Sequence, residues 1–180
     1  MGIEVEKKYK LTREQCESVR RRLEEVGAEG EGVAEFEENT IYTGPGLDPR
    51  RRVLRLRRKG GRAFFTFKER EPTASAIKRQ RENETEVSDA GALAAILEAL
   101  GYRPALVYEK RRTTRRVRGV EVVIDELPFG LFLEIEGDES AILDAEKLLD
   151  LESTLAEHAP YPELTLRHGV KRDGVVEARF

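Results

Sequence analysis

Three Glu-x-Glu pairs punctuate the chain: Glu4/Glu6 in "EVEKKYKLT", Glu84/Glu86 in "ETEVSD" and Glu134/Glu136 in "EIEGDE". Each sits in a strand-like run that leads to a helix-capping residue. Side chains two apart on a strand share a face, so each pair aims two carboxylates the same way. Arginines and lysines recur at the same spacing elsewhere: Lys8 and Lys10, Arg55 and Arg57, Lys110 and Arg112. Paired carboxylates suit hard cations such as Mg2+ or Mn2+, and paired basic groups suit phosphate oxygens, which arginine grips with two hydrogen bonds. A metal with a polyphosphate would satisfy both sets.

The elements that must position these residues can be read from periodicity. Strands are expected at 3-11, 36-43, 52-58, 63-69, 82-87, 106-117, 120-126 and 131-136, separated by the turn-rich stretches "GPGLDP", "KGGR", "EPTASAIKRQ" and "LPFG". Thr12 with Gln15 reads as a capping box before the stripe Cys16, Val19, Leu23 and Val26. A second helix is expected from a Ser88 cap through "AGALAAILEAL" to Gly101, and a third from Asp138 along Ile142, Leu143, Leu148 and Leu149. The segment from Ala159 is expected to hold a short helix and then fray.

Opposite the charged residues stand apolar ones: Val5, Tyr9 and Leu11; Leu54 and Leu56; Phe65 and Phe67 against Thr66 and Lys68; Leu131, Leu133 and Ile135. Strand 120-126 is less cleanly sorted, with Asp125 sharing the face of Val123. An ordinary sheet with a wetted face would explain any single strand. Taken together, the apolar faces are what three amphipathic helices need to cover, which turns the charged faces into the lumen of a closed barrel. Charges enclosed there cost several kcal/mol unless paired, so clusters of both signs imply a ligand that completes them.

Totals narrow the class. The 180 residues fit one domain, and 39% hydrophobic with 37% charged residues argues against disorder. With 32 basic and 35 acidic residues the net charge is only -3, which speaks against a general phosphate-backbone binder. One cysteine, no apolar signal core and no spanning run point to a cytoplasmic protein without a membrane partner. Cys16, His158 and His168 are too few for zinc; Cys16 reads as core packing and both histidines as surface residues.

"EVEKK" resembles the E-x-E-x-K signature of the CYTH superfamily, the triphosphate tunnel metalloenzymes. The likeness continues in order through "LRLRRKGG", "FFTFKER", "ETEVSD", "LEALGYRPALVYEKRRTT" and "VVIDELPFGLFLEIEG", over about residues 3 to 137. It implies an α+β fold built on a closed antiparallel eight-stranded β-barrel, a tunnel with a charged lumen and helices packed outside. It further implies metal-side roles for Glu4, Glu6, Glu84, Glu86, Asp125, Glu134 and Glu136, and triphosphate contacts from Arg55, Arg57, Lys68, Arg81, Lys110 and Arg112. Lys8 would be a phosphate-contacting or catalytic lysine. Glu82 shares the face of Glu84 and Glu86, which leaves the register there open by two residues.

The expected activity is Mg2+- or Mn2+-dependent hydrolysis of inorganic triphosphate or a nucleoside triphosphate, by a monomer or homodimer. Conversion of ATP to cyclic AMP and pyrophosphate, as in class IV adenylate cyclases, is the alternative. Thiamine triphosphate is less well served, since the chain has no tryptophan to stack on the organic cation. "RRRVLRLRRK" and "KRRTTRRVR" keep a non-enzymatic polyphosphate- or RNA-binding role in view.

Overall fold

Where charged and apolar residues alternate, the chain forms strands, and where apolar residues recur every three or four places it forms helices. The computed structural model describes residues 2–30, 32–70 and 75–180. In chain order the elements are β1 (Gly2–Leu11), α1 (Arg13–Glu25), β2 (Glu35–Thr43), β3 (Arg52–Lys59), β4 (Arg62–Arg70), β5 (Lys78–Val87) and α2 (Ala90–Ala99). Then follow β6 (Arg103–Val117), β7 (Val120–Leu127), β8 (Gly130–Glu136), α3 (Glu139–Leu148), α4 (Tyr161–His168), β9 (Val170–Arg172) and β10 (Val175–Ala178).

Eight strands run in the order β2-β3-β4-β5-β1-β8-β7-β6, and antiparallel pairing of β2 with β6 closes them into a barrel. β1 is therefore an interior strand, held by β5 on one side and β8 on the other. β10 adds in parallel to β6 at residues 106–108, beyond the stretch that β7 pairs. At the closing seam Glu38 and Glu109 are register partners, a like-charge pair that Arg179 bridges at 2.7 and 2.8 Å.

The outward faces meet the helices. Cys16, Val19 and Leu23 of α1, Ile142 and Ala145 of α3 and its C-cap Leu149 pack with Tyr9, Val122, Leu133 and Ile135. Leu97 of α2 packs with Leu54, Leu56 and Ala63. Thr12 and Gln15 form the expected capping box. The second helix is capped by Asp89 rather than Ser88, because Asp89 reaches the Ala92 amide at 2.8 Å. Leu143 points outward and is exposed, since the α3 stripe runs Ile142, Ala145, Leu149.

Two further departures matter for the site. β5 begins at Lys78, four residues earlier than expected, so the end of "EPTASAIKRQ" is strand; its first four residues lie outside the described ones. The C-terminal segment does not fray: α4 packs on β6 and β10 and forms an apolar group with Ile41, Val53, Leu106 and Phe132. By alternation those four residues share the faces of Asn39, Arg55, Tyr108 and Glu134. One end of the lumen is thus apolar and met by α4, and the charged part lies beside it.

Candidate functional site

β1 carries the centre of the site because its position between β5 and β8 brings acidic residues from both neighbours to it. Glu6 is opposite Glu136, and Lys8 is opposite Glu134. Oxygens of Glu4, Glu6 and Glu136 all lie within 4.8 Å of one another. Glu4 also accepts from Lys68 Nζ at 2.7 Å and Gln80 Nε2 at 2.9 Å. Burial raises all three carboxyls above their ordinary range, reinforced by Glu82 at Glu4 and by Glu134 at Glu6. At Glu136, burial and then Glu134 push the value up to about 8. Three convergent oxygen donors that resist sharing negative charge fit a hard divalent cation.

The facing wall is basic. Glu84 receives Arg57 at 2.9 Å and Arg55 at 3.4 Å, and Thr66 Oγ1 donates to it at 2.7 Å. Lys68 reaches Glu82 at 2.8 Å. Arg112 grips Asp125 with two bonds of 2.8 and 2.6 Å and reaches Glu134 at 2.7 Å. Lys8 Nζ lies 3.7 Å from Glu134 and 4.2 Å from the Tyr161 ring centroid, a cation–π contact. The basic side chains among them, with Glu4, Glu6, Glu82, Glu134 and Glu136, line a cavity of about 390 Å3.

Of the residues singled out in the sequence, Glu4, Glu6, Lys8, Arg55, Arg57, Lys68, Lys110, Arg112, Glu134 and Glu136 line this cavity. Lys10, on the same strand face, is exposed. Asp125 stands behind the wall, fully buried, its oxygens taken by Arg112, by Lys110 at 3.2 Å and by the Tyr161 hydroxyl at 2.9 Å. Its carboxyl is held well below the usual range: burial alone would raise it, but Arg112 and Lys110 prevail.

Glu84, paired with Arg55 and Arg57, does not line the cavity either, and two further residues are not brought to it. Arg81 is opposite Ile3 and exposed on the outer face, one place out of phase with the charged side chains of β5. Glu86 is exposed and paired with Arg62. The early start of β5 explains the latter: its inward series runs Lys78, Gln80, Glu82, Glu84, Glu86, so Glu82 reaches the cavity and Glu86 passes the rim.

Sequence reasoning missed Glu37, Arg70, Lys78, Gln80 and Glu121, and gave Tyr161 no chemical role. Alternation in "EFEENT" could have shown Glu37 and Asn39 on one face. Tyr161 had no such signal, because a helix outside the barrel sequence supplies it. Its hydroxyl bond to a buried charge implies that Tyr161→Phe lowers stability by about 1.5–3 kcal/mol. A thermal melt with unchanged midpoint would contradict that bond.

Glu37 is fully buried between Lys110 at 3.5 Å, Arg57 at 3.8 Å and Lys59 at 3.9 Å. Burial pushes its carboxyl up, yet Lys110, Arg112 and Arg57 outweigh that and bring it down to about 2, against 4.5 ordinarily. A lowered folded value contributes stability above pH 4.5 that is lost as pH falls through 2. Urea unfolding at pH 6 and pH 2.5 is expected to show the wild-type advantage over Glu37→Gln shrinking by roughly 2–3 kcal/mol. A difference independent of pH would refute the assignment.

A family model, the CYTH domain, matches residues 2–161. The chain belongs to the CYTH domain family. Solved structures agree on the CYTH fold. The PH1012 protein of Pyrococcus horikoshii superposes with a TM-score of 0.77 at 26% identity, covering 89% of this chain and 98% of its own. A Vibrio parahaemolyticus protein put forward as an adenylate cyclase gives 0.70 at 22%, covering 90% and 97%. The Hippeastrum protein HpAC1, put forward as an adenylyl cyclase and described with a dominant triphosphatase activity, gives 0.71 at 14%, covering 95% and 98%. No curated protein matches the chain significantly. Among the described residues, no helix is long and apolar enough to cross a membrane.

Proposed function

We propose that this CYTH protein is a divalent-metal-dependent triphosphatase whose substrate, inorganic triphosphate or a nucleoside triphosphate, is bound in the barrel lumen. The observation that supports this best is one cavity in which Glu4, Glu6 and Glu136 converge beside Lys8 and Lys68, with Arg55 and Arg112 in the same lining. Those three carboxylates are the residues that would hold Mg2+ or Mn2+. When bound, the ion would neutralise charge on phosphate oxygens.

The chain's own groups do the rest of the work in this reading. Lys8, Arg57, Lys110 and Arg112 fix phosphate oxygens and offset negative charge that builds up during transfer to water. Their carboxylate neighbours keep them in place beforehand, so little reorganisation accompanies reaction. Asp125 and Glu37 are positioning residues, held away from the cavity while orienting Arg112 and Lys110.

A ribose hydroxyl could attack the innermost phosphorus over the same lining, so the products decide between hydrolysis and cyclisation. Purified protein with Mg2+ or Mn2+ is given triphosphate, ATP or thiamine triphosphate, and orthophosphate, pyrophosphate and cyclic AMP are resolved. Orthophosphate release is expected. Cyclic AMP from ATP would replace the hydrolase reading. Steeply salt-dependent RNA binding without any metal-dependent phosphate release would replace the enzymatic one.

A further inference from the structure

α2 carries a single charged residue, Glu98, yet only its Leu97 is buried. Leu97 meets the barrel with Leu54, Leu56 and Ala63, and Leu93 joins that group half-buried. At helical spacing Ala92, Ile96 and Leu100, with Ala95 and Ala99 beside them, form a second apolar stripe that turns to solvent. Ile96 is 55% exposed and Leu100 62%. The other helices behave differently: α1 shows solvent Glu17, Arg20, Arg21 and Glu24, and α3 shows it Asp144 and Lys147. A helix that is apolar all round is ordinarily covered on both sides.

The stripe is complementary to itself. In an antiparallel pair about a two-fold axis at Ile96, residues equally far before and after it face each other. Leu100 of each copy then meets Ala92 of the other, a large side chain over a small one, while Ala95 and Ala99 let the helices approach closely. The charges agree with the same axis. Asp89 and Arg103 lie equally far before and after Ile96, so the exposed Arg103 of one copy comes to the acidic N-terminal end of the other's helix. Within one copy Arg103 reaches Glu98 at 3.5 Å, but these side chains are 70% and 71% exposed, so little is lost when Arg103 turns to a second copy. A lipid surface fits poorly, because α2 has no lysine or arginine to meet headgroups and Asp89 and Glu98 flank the stripe.

We propose that the outward face of α2 is the contact of an antiparallel two-fold dimer of this chain, with Ile96 at the axis. Its size sets its strength. Ten helical residues span about 15 Å, so the contact falls short of the roughly 800 Å2 per partner that stable complexes bury. The dimer is therefore reversible, with a dissociation constant on the order of tens of micromolar.

The test is sedimentation velocity of the full chain at concentrations spanning that value about tenfold on either side. The wild type is expected to pass from monomer to dimer. Ile96→Glu and Leu100→Glu are each expected to weaken dimerisation at least about tenfold, and Arg103→Glu about threefold. Melting curves establish that each variant is folded, and where one fails to fold the other decides. Mild oxidation reads the axis independently. Ile96→Cys is expected to give a disulfide-linked dimer, because a residue on the axis stands beside its own copy, whereas Leu143→Cys on the exposed side of α3 stays monomeric. The buried Cys16 is common to both. A wild type that is monomeric throughout overturns the dimer, and one that instead floats with mixed zwitterionic and anionic lipid vesicles assigns the stripe to a membrane surface. Dimers left intact by folded Ile96→Glu and Leu100→Glu overturn the α2 contact, and equal cross-linking through Leu143→Cys overturns the axis.

Discussion

Replacing Glu6 with glutamine is expected to lower metal-dependent phosphate release by at least about 100-fold while raising the melting temperature of the metal-free protein. The two effects have one cause. Glu4, Glu6 and Glu136 place oxygens within 4.8 Å of one another, and Glu6 is almost completely buried. Without a cation, each negative charge there opposes the others and has lost its water. Glutamine keeps the shape and removes one charge, so the fold gains what the site loses. Calorimetry is expected to show Mg2+ or Mn2+ binding weakened in parallel with turnover. Full activity in both Glu4→Gln and Glu6→Gln would remove these residues from the proposed site. A fall in melting temperature would show that Glu6 is held mainly by Lys78 rather than strained by its acidic neighbours.

Asp125→Ala is expected to do the reverse, costing about 3–5 kcal/mol of stability because it strands buried cations. Arg112 makes two bonds to Asp125, Lys110 one and Tyr161 one, and none of the three can turn to water without leaving the wall. Asp125→Asn, which keeps the shape and one acceptor, is expected to lose less. Urea denaturation of both variants checks the order. Near-wild-type stability in Asp125→Ala would mean that Glu134 and Glu37 alone suffice to anchor Arg112 and Lys110. Asp125 and Glu6 thus separate by experiment, one holding the basic wall and the other proposed to hold an ion.

Much of this was legible in the sequence because strand alternation is a local property. Val5 and Tyr9 against Glu4, Glu6 and Lys8, or Leu54 and Leu56 against Arg55 and Arg57, sort themselves once one face must meet helices. The closed barrel follows from many strands sorted the same way. What stayed hidden depends on where a strand starts or on what comes from elsewhere. Lys78 and Gln80 lie in a segment rich in turn residues, so the start of β5 was hidden and the register among Glu82, Glu84 and Glu86 stayed open by two residues, whereas the structure brings Glu82 to the cavity. Parity also failed for Arg81, whose basic character attracted a role that its outward face denies. Tyr161 reaches Asp125 from α4, and no periodicity in β7 announces a partner 36 residues away.

The interior place of β1 has a kinetic side. Its partners are residues 78–82 of β5 and 131–136 of β8, so the strand made first waits for residue 78 before one edge is paired and for residue 131 before the other. Such non-local pairing slows folding and leaves unfinished sheet edges exposed to other chains. Glu4, Glu6, Lys8 and Lys10 on one face, with Lys7 among the apolar residues of the other, keep that waiting strand soluble and discourage edge-to-edge association. Charges placed for a ligand in the finished barrel would therefore serve first as gatekeepers during its assembly.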